Sequence, residues 1–391
     1  MRKANFKTIA AGIITAAVTV TAVPFNVLAS DVIKVGAIDP TTGDNANGGL
    51  DDLHGKELAV KDFNEAGGVT IDGTDYQIEL VSYDDASSAA QSVSVCTKLV
   101  TEDEVVGIAG SFSSSCTLAD LDVVDEYEIP MITSGSSAAS ILESGSEWIS
   151  RSFPSDSLQI AALLNYIMEK NPDTHKIGMI YCNDDYGKGG LDSLTAAAEE
   201  KGLEVVSESF GTDDTDMTAQ LSSLKSQDID ALFIWCNYTP GSYCMKQARA
   251  LDWDIQFYSG TGTIHEDTFE LSDDTYVGTI NSVPFTTSTT DESTQDWISR
   301  YEEEYGEEPS QNAARGYDGM SILLEAIKTA GSTDGAAIQE AIRNTVDHKG
   351  IQGNISIDPE TGEYQGDVMI VQANEDGKWT YLDSASTTSE K

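Results

Sequence analysis

The sequence predicts an α/β protein of two lobes, each a doubly wound parallel sheet covered by helices, and three observations lead there. Apolar runs of four to eight residues alternate with amphipathic helical stretches along nearly the whole chain, as crossover units do. Of 391 residues the first 29 read as a leader, leaving 362, too many for one comfortable core. Two Ser/Gly-rich turns, about two dozen residues apart, each follow a short apolar run, as turns at the carboxyl edge of a parallel sheet do.

In chain order, a strand over 32–38 leads to a helix over 49–66 that stops at Gly67-Gly68, a favourable C-terminal signal. An alternating strand over 76–83 passes through Asp84-Asp85 into a helix over 88–101. The two Ser-turn units follow, then an extended stretch over 148–153 and a strongly amphipathic helix over 156–170. A second series comprises strand 176–181, helix 189–201, strand 203–210, a helix N-capped by Asp216, strand 231–235, helix 241–251 and strand 255–258. Helices over 293–305, 311–330 and 335–345 precede a β-rich ending over 351–382. No Gly/Ser or Pro tether separates the two series, so the joints near Arg151 and Asn281–Pro284 read as a hinge.

Arg2, Lys3 and Lys7 precede an uncharged apolar stretch over 8–23, and Val27-Leu28-Ala29 fits signal-peptidase cleavage before Ser30. That stretch is about sixteen residues against the roughly 20 needed to span a bilayer, so export with cleavage is expected rather than anchoring. No Cys lies near the cleavage point, which argues against a lipid anchor. Formal charge is −44, and loss of the three basic leader residues takes it to −47. Such a surface repels nucleic acid and anionic lipid, so neither is an expected partner. Five cysteines in an exported chain allow at most two bridges, and Cys96–Cys116 is the expected one, with Cys182, Cys236 and Cys244 unassigned.

The chemistry lies in the serine turns. Gly110-Ser111-Phe112-Ser113-Ser114-Ser115 follows Val105–Ala109, and Ser134-Gly135-Ser136-Ser137-Ala138 follows Ile129–Thr133. Each reads as the start of a helix or helical turn, where free N–H groups, the helix dipole and hydroxyls converge. Two such mouths at neighbouring strand ends form an anion cradle that needs no Lys or Arg and suits a small carboxylate.

A set of short motifs, in order over some 300 residues, carries a family resemblance: Gly36-Ala37-Ile38 with Gly43, Gly55-Lys56-Glu57-Leu58-Ala59-Val60, Phe63-Asn64-Glu65-Ala66-Gly67-Gly68-Val69, Tyr83-Asp84-Asp85-Ala86, Pro130-Met131-Ile132, Asp185-Tyr186-Gly187, Gln247-Ala248-Arg249, Tyr317-Asp318 and Ile357-Asp358 through Gly362. The chain resembles the branched-chain amino-acid (Leu/Ile/Val) group of type I periplasmic binding proteins, the solute-binding components of ABC transporters. The resemblance implies a first lobe of 30–151 and 285–366, a second of 152–284 and 367–391, three crossings between them, and hinge closure on a ligand. It also implies a membrane permease as partner, no cofactor and no metal, with a monomer as the simplest shuttle. By the same resemblance Ser114, Ser136, Ser137 and Ala138 hold the ligand carboxylate, Tyr186 closes over it, and Tyr238 stands beside it. Leucine-type members carry an acid for the ligand ammonium where Thr261 stands here. Asp318 is the replacement the resemblance offers, ahead of Asp39 and Asp85, and a non-amino-acid carboxylate or amide is the alternative ligand.

Plainer readings compete. Ser114 and Ser136 could be ordinary N-caps, Tyr186 a packing residue, Asp318 a backbone bridge, Trp235 core, and Asp39 and Asp85 turn residues. Against an enzyme, no Gly-x-Ser-x-Gly elbow is present and the histidines (His54, His175, His265, His348) lack metal-ligand spacing. Asp44-Asn45-Ala46-Asn47-Gly48 starts like a calcium loop but has Gly55 at the twelfth place. A receptor ectodomain would continue into a membrane span, whereas 384–391 reads as a polar, frayed tail.

Overall fold

Alternation of strand and helix sorts the chain onto two sheets. The computed structural model describes residues Asp31–Ser386; the leader over 1–29, its cleavage point before Ser30, and residues 387–391 lie outside them. The first lobe starts with β1 (Asp31–Asp39), α1 (Ala46–Glu65), and a hairpin of β2 (Val69–Ile71) and β3 (Thr74–Asp84). It continues through α2 (Ala89–Thr101), β4 (Ile108–Gly110), α3 (Ser114–Tyr127), β5 (Met131–Thr133), a one-turn α4 (Ser140–Glu143) and β6 (Ile149–Arg151). The sheet order is β2-β3-β1-β4-β5-β6, parallel except for the hairpin. Val35, Ala37 and Ile38 are all fully buried because helices cover both faces, which is why β1 reads as a continuous apolar run.

The second lobe comprises α5 (Asp156–Lys170), β7 (Lys176–Cys182), α6 (Asp185–Lys201), β8 (Glu204–Phe210), α7 (Thr218–Lys225), β9 (Ala231–Trp235), α8 (Tyr238–Ala250), β10 (Phe257–Ser259), α9 (Asp267–Leu271) and β11 (Ile280–Val283). The chain then returns through α10 (Glu292–Tyr305), α11 (Gln311–Ala330) and α12 (Gly335–Arg343) to pack on the first lobe, where β12 (His348–Gly350), β13 (Gly353–Ile357) and β14 (Tyr364–Gln365) form a small antiparallel sheet. Finally β15 (Asp367–Ala373) and β16 (Trp379–Ser386) cross back and add antiparallel strands to the second sheet, ordered β16-β15-β11-β10-β9-β7-β8. The chain thus passes between the sheets three times, after β6, after β11 and at Gly366.

Where α1 crosses α11 the backbones nearly touch. A Cβ on Gly55 would stand 2.0 Å from the Ala313 carbonyl oxygen, and one on Gly316 2.0 Å from that of Asp52. Glycine at both positions is what lets these helices meet. Beside the crossing, the Lys56 ammonium lies 2.7 Å from Asp39 and 2.6 Å from Asp52, all three fully buried or nearly so. Asp39 is therefore committed to an internal ion cluster, and Asp85 accepts from its own turn at Ser87 N (2.9 Å).

Several expectations need correction. The Cys96–Cys116 bridge does not form: both residues lie in the core beneath α2 and α3 with free thiols. Cys116 turns its sulfur toward the Asp85 carboxylate, and burial pushes both thiols well above the usual range, so neither is a ready thiolate. Cys182, Cys236 and Cys244 are likewise buried and free. Asp216 does accept from Thr218 N (3.0 Å), but α7 starts one residue later, after Met217. The helices after β7 and β9 start at Asp185 and Tyr238, earlier than apolar periodicity marks them. Residues Ser384-Ala385-Ser386 belong to β16 instead of a frayed tail.

Candidate functional site

Each sheet has a point where strand order reverses, and the two points face one another. In the first sheet β1 has β3 on one side and β4 on the other; in the second β7 lies between β8 and β9. Loops leaving neighbouring carboxyl ends diverge at such a point and open a crevice. The crevice of the first lobe is formed by Asn45 after β1, Phe112–Ser115 after β4, and Gly135 and Ser137 after β5. That of the second is formed by Asp184 and Tyr186 after β7, Asn237 and Tyr238 after β9, and Thr261 and Gly262 after β10. Together they line a cavity of about 80 Å³, room for roughly five to eight water-sized groups.

The lobes are closed over this cavity. Asn47 Nδ2 donates to Tyr238 Oη (3.1 Å), Asn237 Nδ2 to Asn45 Oδ1 (2.5 Å), and Gln311 Nε2 to the Thr261 carbonyl (2.6 Å). Every one of these bonds joins a residue of the first lobe to one of the second.

The first serine mouth is a true helix start. Ser113 precedes the fourteen-residue α3 in extended conformation and makes no side-chain cap; its hydroxyl instead accepts from Asn45 Nδ2 (3.1 Å). The first amides of α3 are therefore left for a ligand, with Ser114 and Ser115 on the cavity wall. The second mouth differs from expectation. The segment after β5 is not helical until the single turn at Ser140, so it brings no helix dipole. Ser137 lines the cavity; Ser136 and Ala138 do not. The Ser136 hydroxyl is consumed internally, against Thr117 Oγ1 (2.6 Å) and the carbonyls of Ser111 (2.9 Å) and Phe112 (3.2 Å), and so ties the two mouths together. Arg151, fully buried, holds the far side through the carbonyls of Ser136 (3.0 Å) and Ala138 (2.6 Å).

Tyr186 and Tyr238 stand where the sequence placed them, on the second wall. Tyr186 tilts against Trp235 at 6.1 Å, and its hydroxyl is buried and bonds no side chain among the described residues. A Cβ on Gly262 would come within 2.7 Å of that hydroxyl, so Gly262 makes room for it. Tyr238 stacks on His265 at 4.3 Å. Thr261 lines the cavity but is held by its backbone, its amide donating to Gln159 Oε1 (3.0 Å).

Asp318 does not reach the cavity. Its carboxylate accepts from the amides of Ile351 (2.7 Å) and Gln352 (2.9 Å), fixing the β12–β13 turn, and burial raises its pKa to about 6. The backbone-bridging reading holds and the ammonium-partner reading is withdrawn.

Two charged residues that sequence reasoning missed line the cavity instead. Arg315, on α11, lines the cavity while only 3% exposed. Its guanidinium lies 4.6 Å over the Phe153 ring and 5.9 Å from that of Phe112, bonds Asn312, and leaves Nε without a partner. Burial lowers its pKa to about 10, so it stays charged. The cradle therefore includes a cation, contrary to the expectation from the turns. Asp184 is the one carboxylate among the cavity-lining residues. It N-caps α6 by accepting from Gly187 N (2.7 Å), and burial raises its pKa. Its place directly after β7 was a usable signal; Arg315, in mid-helix, gave none.

Comparison with known proteins agrees with this geometry. Over 355 residues, 90% of this chain and 93% of the relative, the sequence is 25% identical to a leucine-, isoleucine-, valine-, threonine- and alanine-binding protein of Pseudomonas aeruginosa. The structure is similar to a branched-chain amino-acid transporter substrate-binding protein from Streptococcus pneumoniae, solved with isoleucine, at TM-score 0.80 and 27% identity over 91% of this chain and 100% of that one. A solute-binding protein of an ABC transporter from Rhodopseudomonas palustris, solved with 3,4-dihydroxybenzoic acid, shares the fold at TM-score 0.80 and 23% identity, with coverage of 92% and 99%. Residues 32–378 match the family model described as periplasmic binding protein, and the chain belongs to that family.

Proposed function

We propose that this protein captures a small amino acid of the branched-chain type between its lobes, outside the cytoplasmic membrane, and delivers it as a monomer to an ABC permease. The observation that carries the reading is the cavity between two facing switch points, with a cation and free helix amides on one wall and a carboxylate on the other. The ligand carboxylate meets the α3 amides, Ser114, Ser137 and Arg315; the ammonium meets Asp184; the side chain packs between Phe112 and Tyr186. No catalytic step is part of this reading. Among the described residues no helix is long and apolar enough to cross a membrane, which fits a shuttle whose leader is removed.

A second reading, a carboxylate ligand without an ammonium, is favoured by one observation: Asp184 already spends an oxygen on Gly187 N, and burial disfavours its charge. A thermal-shift panel separates the two. Leucine and isoleucine are compared with their deaminated 2-oxo acids and with benzoate. A ligand at a hundredfold excess over Kd stabilises by about 2.7 kcal/mol. Stabilisation by the amino acids alone supports the first reading; stabilisation by the oxo acids or benzoate alone supports the second. No response to any carboxylate overturns both.

A further inference from the structure

Beside the ligand cavity lies a larger one, of about 370 Å³, whose walls come from both lobes and whose lining is acidic. Asp51 on α1 and Glu307, in the loop between α10 and α11, line it from the first lobe; Glu266 and Asp267, before and at the start of α9, line it from the second. His54 stands one helical turn from Asp51 on the same face of α1. One ligand atom from each of Asp51, His54 and Glu307 lies within 4.8 Å of the other two. From this geometry we infer a divalent-cation site, of the zinc type, formed by Asp51, His54 and Glu307.

Three features make the cluster more than an acidic patch. An imidazole nitrogen with two carboxylate oxygens is a donor set that borderline cations favour, and three protein ligands leave a coordination position for water in the adjoining cavity. Neither Asp51 nor Glu307 has a Lys or Arg ion-pair partner among the described residues, although Glu308 next door takes Lys378 at 3.7 Å. The imidazole is also held in place: His54 stacks on Tyr305 at 4.0 Å between ring centroids, and its Nδ1 lies 3.4 Å from Tyr301 Oη. A bound cation would tie α1 to the α10–α11 loop, beside the two contacts that His54 makes with α10. It would also offset the repulsion between Asp51 and Glu307 and the Glu266 facing them from the other lobe.

The site is tested without any nutrient ligand, so its outcome is separate from that of the transport reading. The metal-stripped chain is titrated with Co²⁺, followed by its visible d–d band, and then with Zn²⁺ in competition. The expected result is saturation at one equivalent, with affinity at least tenfold weaker in both His54→Gln and Glu307→Gln, and a shift of the His54 imidazole resonances in the unsubstituted protein. Circular dichroism of each variant verifies folding, and the imidazole shift decides the matter even if a variant fails to fold. Binding that does not saturate at one equivalent, that is unchanged in both folded variants, or that leaves the His54 resonances in place would mean weak association with surface carboxylates only, and the site would be wrong.

Discussion

Replacing Arg315 with Met separates binding from folding more cleanly than any other change in the cavity. Arg315 is 3% exposed, and among the described residues its guanidinium has no carboxylate within salt-bridge distance and keeps one nitrogen unpaired. In the empty protein it is a desolvated charge held by Asn312, the ring faces of Phe153 and Phe112 and the more distant Asp52 carboxylate. Methionine keeps most of the stem packing. Removing this buried charge for a residue of similar length should leave stability unchanged or raise it by about 1–2 kcal/mol. Asp52 loses a nearby cation but retains Lys56 at 2.6 Å. For a bound carboxylate the balance is opposite. Truncating one partner of a buried, hydrogen-bonded charge pair costs about 2–5 kcal/mol, or between about thirtyfold and a few thousandfold in Kd. Isothermal titration with the best hit from the ligand panel and urea denaturation of the empty protein measure the two quantities. Unchanged affinity would place the carboxylate elsewhere; a loss of stability above 2 kcal/mol would make Arg315 a structural residue.

Ser114→Ala should weaken the same ligand by about tenfold, the worth of one hydrogen bond to a charged group, while Ser136→Ala should act mainly on stability because its hydroxyl faces Thr117 and two carbonyls. Titration and melting of the two variants side by side would expose the reverse pattern. Gly55→Ala should destabilise by about 2 kcal/mol, since overpacking against the Ala313 carbonyl at about 3 kcal/mol exceeds the helix-propensity gain of about 1 kcal/mol; a more stable variant in urea would contradict the close helix contact. Asp120 is buried, accepts from Ser92 (2.6 Å) and Ser111, and burial raises its pKa to about 7 despite those bonds. The folded state therefore holds this proton more tightly than the unfolded chain. The stabilisation is complete below about pH 4 and is lost as pH rises toward 7, by up to about 1.4 kcal/mol per pH unit. Asp156 and Asp318 act in the same direction, so Asp120→Asn should flatten the slope between pH 4.5 and 7 without abolishing it, and parallel urea curves for the two proteins would rule the assignment out.

Helix and strand identity were written locally. The helix over 311–330 begins and ends where its capping Ser310 and Gly331 put it, because both signals lie within one turn of the boundary. Where the local signal was polar, as at Asp184–Lys188 and Asn237–Pro240, the helices began earlier than apolar periodicity could show, and those starts turned out to be cavity wall. Tyr186 and Tyr238 were legible because each follows a strand end by a few residues, a relation in sequence that survives folding.

What the sequence determined by itself was the α/β alternation, the two serine loops at neighbouring strand ends, and hence the side of each sheet on which a ligand would sit. Which serine faces the ligand was decided only in three dimensions. Ser136 and Ser137 are adjacent and chemically alike, but the contact of the two loops turns the Ser136 hydroxyl inward to Thr117 while Ser137 lines the cavity. Arg315 and Asp318, one turn apart on α11, were divided the same way: the helix's rotation against α1, set by the glycine contacts at Gly55 and Gly316, points the guanidinium to the cleft and the carboxylate to the β12–β13 turn. Direction of a side chain on a helix depends on that rotation, and rotation is a property of packing between segments that lie hundreds of residues apart in the chain.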